Sequence, residues 1–202
     1  MPRHVLHATT CRMLAVFFLL VTSAFAQAPT GQATGAPTLP ARSQVMSPME
    51  AQTYVTAQFG GAFRVLPGFP ALAGDLDGDP AEDLVLVATA KNPLLDESDY
   101  HYRTIDPYNA FFGFGDPEVT MRFVSQEGEP RFVLIVHGWK EAAPKAKFVV
   151  INLPFEKLEL ARVRVKKKTM PAIGMEDRTG QNSDIYWTGK QWKWADTSLK
   201  VE

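Results

Sequence analysis

The chain has 202 residues, 46% of them hydrophobic and 21% charged, and its 21 Lys and Arg against 22 Asp and Glu give a formal net charge of -1. This near-neutral balance excludes a nucleic-acid-binding protein that works through bulk positive charge. With 14 Gly and 15 Pro, the sequence is not of low complexity, so most of it can bury a hydrophobic core.

The first 26 residues have the parts of a secretory signal peptide. Basic residues precede the apolar run 13–24, which ends in the small-residue tripeptide 24–26 (Ala-Phe-Ala). A helix needs about 20 apolar residues to span a bilayer, so this run is too short and we expect no transmembrane segment in the mature chain. We expect cleavage near Ala26 and export to the periplasm or the extracellular space.

Cleavage there would also remove the single cysteine, Cys11. The mature protein would then have to be stable in an oxidising compartment without disulfides, which requires a substantial hydrophobic core. Residues 27–44 are rich in Pro, Ala, Thr and Gly and are predicted to be a disordered tether. Residues 45–202 are predicted to form a single domain.

The domain is predicted to begin with an amphipathic helix. Ser47 and Glu50 form a capping-box pattern around Pro48, and apolar residues then recur at helical spacing up to Phe59. Beyond it, short apolar runs between turn residues predict strands at 63–66, 84–88, 132–136, 148–153, 163–165 and 185–187, and a closing hairpin over 185–194. The predicted fold is α+β, mainly antiparallel β-sheet with this N-terminal helix.

An acidic loop directly before the 84–88 strand carries the clearest chemical pattern. Carboxylates stand at loop positions 1, 3, 5 and 9, and a backbone carbonyl can supply position 7; these residues are Asp75, Asp77, Asp79, Asp83 and, for the carbonyl, Ala81. Ca²⁺ takes six to eight oxygen ligands, so this spacing predicts a calcium site. The alternative is an acidic turn whose side chains cap their own backbone amides. An EF-hand is excluded, because Pro80 and Leu86 replace its Gly and Glu.

This loop resembles the calcium loop of the FG-GAP or VCBS repeat of integrin-type β-propellers. In that family an Asp-x-Asp-Gly-Asp loop, with a further Asp four residues on, runs straight into a strand. The resemblance implies that the four aspartates are Ca²⁺ ligands within a repeat-like stretch at 74–88, although Pro80 stands where the family commonly has Gly. It covers about 15 of 202 residues, too few for a propeller of four or more blades, so it implies one degenerate repeat in another fold. The remaining sequence is similar to small exported bacterial proteins without assigned function.

Two further patterns suggest an alternative function in adhesion. Trp192 and Trp194 lie on the same side of the last predicted strand, where they could form a platform for stacking sugars. Arg162 and Arg164 alternate with valines and give another strand a basic face, which could bind an anionic cell-envelope polymer. The competing interpretations are a tryptophan hairpin packed into the core and a charged, solvated edge strand.

No catalytic arrangement is apparent from the sequence. The apolar strand that ends in His137-Gly138 is similar to the strand before the oxyanion loop of α/β-hydrolases, but no Gly-x-Ser-x-Gly follows. We therefore predict an exported, non-enzymatic protein with a structural calcium-binding loop. The sequence does not identify its partner; a cell-envelope polymer or a surface protein is a candidate, and nucleic acid is excluded. An adhesion module is the alternative, and a hydrolase with an unrecognised acidic site is the third hypothesis.

Overall fold

A computed structural model describes residues 45–114 and 130–197 of the chain. The expected signal peptide and tether at 1–44 lie outside the described residues. Within those two ranges, no helix is long and apolar enough to cross a membrane.

Two sheets and three helices make up the described fold. In chain order the elements are α1 Pro48–Phe59, β1 Phe63–Val65, β2 Leu72–Gly74, β3 Asp83–Ala90, α2 Glu97–Tyr100, β4 Arg103–Ile105, α3 Pro107–Phe111, β5 Phe132–His137, β6 Ala146–Val150, β7 Lys157–Val165, β8 Lys168–Glu176, β9 Asn182–Trp187 and β10 Trp192–Asp196.

The first helix, α1, begins with a capping box. The Glu50 amide donates to the Ser47 hydroxyl at 3.3 Å, and the Ser47 amide donates to the Glu50 carboxylate at 2.7 Å. Proline occupies the first turn, where its missing N–H is not needed. The buried side of the helix consists of Ala51, Val55 and Phe59.

The first sheet has the strand order β1-β3-β5-β6-β4, with β2 also pairing with β3. All its pairs are antiparallel except β4 with β6, which is parallel. Every residue of β3 and of β5 is buried, because α1 covers one face of this sheet and the second sheet covers the other. This double burial explains why both strands are continuous apolar runs.

The second sheet is fully antiparallel, with the order β10-β9-β8-β7. Its inner face packs on the first sheet through side chains such as Leu160, Ile173 and Ile185. Strand β8 tolerates Pro171 because its pairing with β9 starts only at Ile173, so at the proline one side of the strand needs no N–H donor.

The predicted fold class, mainly antiparallel sheet with few helices, is confirmed at that level. Three strands were not predicted from the sequence: β2 and β4, which have three residues each, and β8, whose Pro and Gly weaken the strand pattern. The antiparallel register places the start of β3, and the acidic loop before it, beside the end of β5.

Candidate functional site

The acidic loop joins β2 to β3 and lies against the turn between β5 and β6. Leu84 pairs with Val136 in the β3–β5 ladder, so the preceding Asp83 and the following His137 lie side by side at the end of the strand pair. The Trp139 amide also donates to the Glu82 carbonyl oxygen at 3.2 Å, which holds the turn to the loop.

Asp83 fixes both of these segments through its carboxylate. One oxygen accepts from the Leu76 amide at 2.8 Å, and the other accepts from the Gly138 amide at 3.0 Å. The side chain is fully buried, and burial raises the pKa of Asp83, while the two amide hydrogen bonds act in the opposite direction. Gly138 has a φ of +65°, a backbone conformation that suits glycine.

The other three aspartates cap the loop's own backbone. Oδ1 of Asp75 accepts from the Gly78 amide at 2.7 Å, Oδ1 of Asp77 from the Asp79 amide at 3.1 Å, and Oδ1 of Asp79 from the Ala81 amide at 2.7 Å. This is the geometry of the acidic-turn alternative. It leaves the Oδ2 atoms for partners outside the loop.

Two of those Oδ2 atoms contact basic side chains from the β5–β6 region. The Lys145 ammonium forms an ion pair with Asp79 and holds the pKa of that carboxyl below its usual range. Oδ2 of Asp77 lies 2.7 Å from Nδ1 of His137. Two aspartates of the loop therefore contact side chains that lie about 60 residues further along the sequence.

His137 is buried between the two sheets. Its ring centroid lies 5.5 Å from those of Phe148 and Trp187 and 5.7 Å from that of Trp192. Because a carboxylate can only accept, Nδ1 carries the proton in this contact, and Nε2 is buried without a hydrogen-bond partner. The imidazole is available as a ligand through Nδ1 in the tautomer that carries its proton on Nε2.

Asp77, Asp83 and His137 together form a group that could hold a metal ion. One ligand atom from each lies within 4.8 Å of the others, and Nδ1 of His137 is 3.9 Å from Oδ1 of Asp83. Two of the five residues predicted as ligands are in this group; the remaining three, Asp75, Asp79 and Ala81, are not. His137 was not predicted as a ligand, and its position after an apolar strand gave no ligand-spacing signal.

An all-oxygen calcium cage over the whole loop would require larger changes than this three-residue group. Lys145 would have to leave Asp79, and His137 would have to leave Asp77, before both carboxylates faced the ion. A metal on the three-residue group needs the imidazole proton to lie on Nε2 in place of Nδ1. The donor arrangement therefore fits a mixed nitrogen and oxygen site better than it fits a calcium cage.

The tryptophans named for adhesion lie in the core. Trp192 is 6% exposed and Trp194 is 8% exposed. The Trp194 ring packs against the rings of Tyr108 and Phe111, at centroid distances of 5.2 Å and 4.7 Å. Neither indole presents an exposed stacking face.

The two arginines of the same hypothesis lie elsewhere on the second sheet. Arg162 and Arg164 are exposed on β7, one edge strand of that sheet, whereas both tryptophans are on β10, the opposite edge strand. The structure therefore does not bring the tryptophans and arginines together into one surface.

Comparisons with protein-family models, with curated proteins and with solved structures find no match to this chain. The resemblance to the FG-GAP calcium loop therefore depends on the loop residues alone.

Proposed function

We propose that this protein binds a divalent metal ion through Asp77, Asp83 and His137, and that the ion stabilises the fold rather than taking part in a reaction. The observation that carries the proposal is the convergence of two aspartate oxygens and one buried imidazole nitrogen at the end of the β3–β5 pair. Buried charges are normally paired or bound to metals, and both Asp83 and His137 are buried.

The donor set indicates which ions suit the site. Carboxylate oxygens suit Ca²⁺, Mg²⁺ and Mn²⁺, whereas imidazole nitrogen suits Zn²⁺ and other transition metals. Two carboxylates and one imidazole supply three ligands, and a water molecule can complete a tetrahedral zinc shell. We therefore propose a Zn²⁺-class ion in place of the Ca²⁺ that the loop spacing alone suggests.

A metal here would act on stability by linking two parts of the chain. Asp77 belongs to the loop, Asp83 starts β3, and His137 ends β5, so an ion bound to all three would hold the loop against the strand pair. Binding to the folded state alone would stabilise it by about 2.7 kcal/mol at a free metal concentration of 100 times Kd.

Thermal unfolding of the protein tests this proposal. The protein is first treated with chelator and then measured alone and with Zn²⁺, Mn²⁺ or Ca²⁺. We expect Zn²⁺ to raise the melting temperature, and we expect His137→Gln and Asp77→Asn to abolish the rise. Asp75→Asn is the matched control, because it changes an acidic residue of the same loop outside the group.

Two results would overturn the proposal. One is no stabilisation by any of the three ions. The other is stabilisation by Ca²⁺ that requires Asp75 and Asp79 but not His137, which would restore the calcium loop of the FG-GAP type. Lys145→Ala adds a discriminating measurement, since removing the ammonium from Asp79 should strengthen a calcium cage and leave the three-residue site unchanged.

We also propose that the protein is exported, which the sequence of residues 1–26 supports. Expression with the complete N-terminus in a bacterium, followed by mass measurement of the protein recovered outside the cytoplasm, tests this. A mass that corresponds to a chain starting at Gln27 supports export with cleavage. Retention of the full-length chain in the cytoplasm would overturn it.

A further inference from the structure

The outer face of the second sheet carries a row of three residues that the proposed metal site does not use. Glu159 pairs with Gly174 in the β7–β8 ladder, and Gly174 pairs with Asp184 in the β8–β9 ladder. Adjacent residues such as Leu160 and Ile185 point into the core, so by strand alternation this row faces away from the first sheet. Two carboxyl groups therefore flank a glycine on one surface.

Asp184 is the unusual member of this row. It is 6% exposed, yet no hydrogen bond or ion pair reaches its carboxyl group from any residue in the described ranges. Burial, with a smaller contribution from the Glu159 charge, raises the pKa of Asp184 to about 6. Among the described residues, the carboxyl oxygens of Asp184 are therefore available to accept hydrogen bonds from a ligand.

A cavity of about 480 Å³ opens over this row. Gly174 keeps it open, since a Cβ at this position would lie 3.4 Å from Oδ1 of Asp184 and 3.5 Å from Cγ of Glu159. The same Cβ would lie 3.0 Å from Cβ of Ala161, so the floor of the cavity is formed by small residues. The two carboxyl groups thus converge on a space with a small, apolar floor.

The other charged residues that line the cavity do not satisfy Asp184. Lys157 lines the cavity, but its ammonium pairs with Glu176 across the β7–β8 ladder at 2.8 Å and is already engaged. Arg162 lines the cavity from the β7 edge and is exposed. The surface formed by Glu159, Gly174 and Asp184 is therefore acidic.

We propose that this cavity binds a small organic cation with a primary ammonium group, whose N–H donors are accepted by Asp184 and Glu159. An ammonium has three donors and can bridge two carboxylates, while the alkyl part of such a ligand can lie on the Gly174 and Ala161 floor. A calcium ion needs six or more oxygens and a zinc ion adds nitrogen or sulfur ligands, and the row offers only two carboxyl groups. This site is separate from the metal group at the end of β5 and does not depend on it.

Calorimetric titration of the complete protein with n-butylammonium tests the proposal. We expect binding at pH 7.5 that weakens at pH 4.5, where Asp184 is protonated, and we expect at least about tenfold weaker binding in Asp184→Asn, as for the loss of one charge-assisted hydrogen bond. Gly174→Ala should weaken binding as well, because its methyl group occupies the space between the carboxyl groups. Glu141→Gln is the charge-matched control and should bind like the parent protein, since Glu141 does not line the cavity.

A second readout keeps the test decisive if a variant fails to fold. In the parent protein, the pH titration of the Asp184 carboxyl carbon, followed by NMR, should move to lower pH when n-butylammonium is added. Three results would overturn the proposal: no heat of binding and no change in that titration, equal binding by the Asp184→Asn variant, or binding through Asp184 of Ca²⁺ or Zn²⁺ but not of n-butylammonium.

Discussion

The Asp83 carboxylate accepts a hydrogen bond from the Gly138 amide at 3.0 Å, across 55 residues of sequence. Its second oxygen accepts from the Leu76 amide, so one buried side chain joins the acidic loop to the turn after β5. Both carboxylate oxygens act as acceptors, which is a role that no neutral side chain of this size can fill. The carboxylate of Asp83 therefore holds the loop in place whether or not a metal ion is bound.

We predict that Asp83→Asn destabilises the protein by about 3 kcal/mol, because the new NH₂ group faces a buried N–H donor and leaves it unsatisfied. Urea unfolding in the presence of chelator measures this without any contribution from metal. Asp75→Asn is the control, with an expected change below about 0.5 kcal/mol, since the exposed Asp75 uses only one oxygen as an acceptor. Equal effects of the two substitutions would contradict the role given to Asp83.

A second prediction concerns the pH dependence of stability. The pKa of Asp184 is raised in the folded protein to about 6 from 3.8, so the folded state binds more protons than the unfolded state between these values. Stability from this group is therefore complete below about pH 4 and is lost as the pH rises to about 6. In Asp184→Asn this loss is absent, so the variant should become more stable than the parent by about 3 kcal/mol above that range.

Urea unfolding of both proteins from pH 4 to pH 8 measures the difference, and the comparison cancels the titration of groups that do not interact with Asp184. If the two stability profiles run parallel over this range, Asp184 does not have a raised pKa.

The end of α1 gives a third prediction. Gly60 has a φ of +92°, and a Cβ there would lie 2.6 Å from Oδ2 of Asp96 and 2.8 Å from Cε2 of Tyr100. We expect Gly60→Ala to destabilise the protein by about 3 kcal/mol, through backbone strain and this overlap together. Gly68→Ala is the matched control, because Gly68 has a φ of +95° but open space around it. It should cost about 1 kcal/mol, from the backbone alone.

The packing of Trp194 gives a fourth prediction. Trp194→Ala should cost about 3 to 5 kcal/mol, as expected for a buried aromatic side chain that loses its contacts. The exposed Lys193 on the same strand is the control, and Lys193→Ala should change stability by less than about 0.5 kcal/mol. Both values come from chemical denaturation. An unchanged stability of Trp194→Ala would favour a surface role in adhesion for this tryptophan.

The elements that could be predicted are those whose pattern lies within a short stretch of sequence. The capping residues Ser47 and Glu50 are three positions apart, and the long buried strands are continuous apolar runs. Strand β8 was missed because Pro171 and Gly174 are poor strand formers, and it exists because its neighbours β7 and β9 pair with it. Strand β4 has only three residues and pairs with a strand more than forty residues further along the chain.

The candidate site shows the same difference between residues that are close in sequence and residues that only the fold brings together. Asp77 and Asp83 were found because they belong to one short loop. His137 was not, because it lies 60 residues from Asp77 in sequence and reaches it only through the β3–β5 register. The burial of Trp192 and Trp194 likewise depends on which face of the hairpin packs on the first sheet, and alternation along a strand cannot decide that.

The parallel pairing of β4 with β6 has a consequence for the order of folding. Strand β4 pairs with β6 through only three residue pairs, in the slightly weaker parallel arrangement, whereas β5 pairs with β3 and with β6 through five antiparallel pairs each, so we expect β4 to join the sheet last. Until it does, the apolar edge of β6 around Phe148 offers unpaired backbone groups to other molecules. Once β4 is in place, the exposed Arg103 covers Phe148, with its guanidinium 4.9 Å from the ring centroid. This short strand therefore protects the finished sheet from edge-to-edge association, while molecules that have not yet added it remain prone to aggregate.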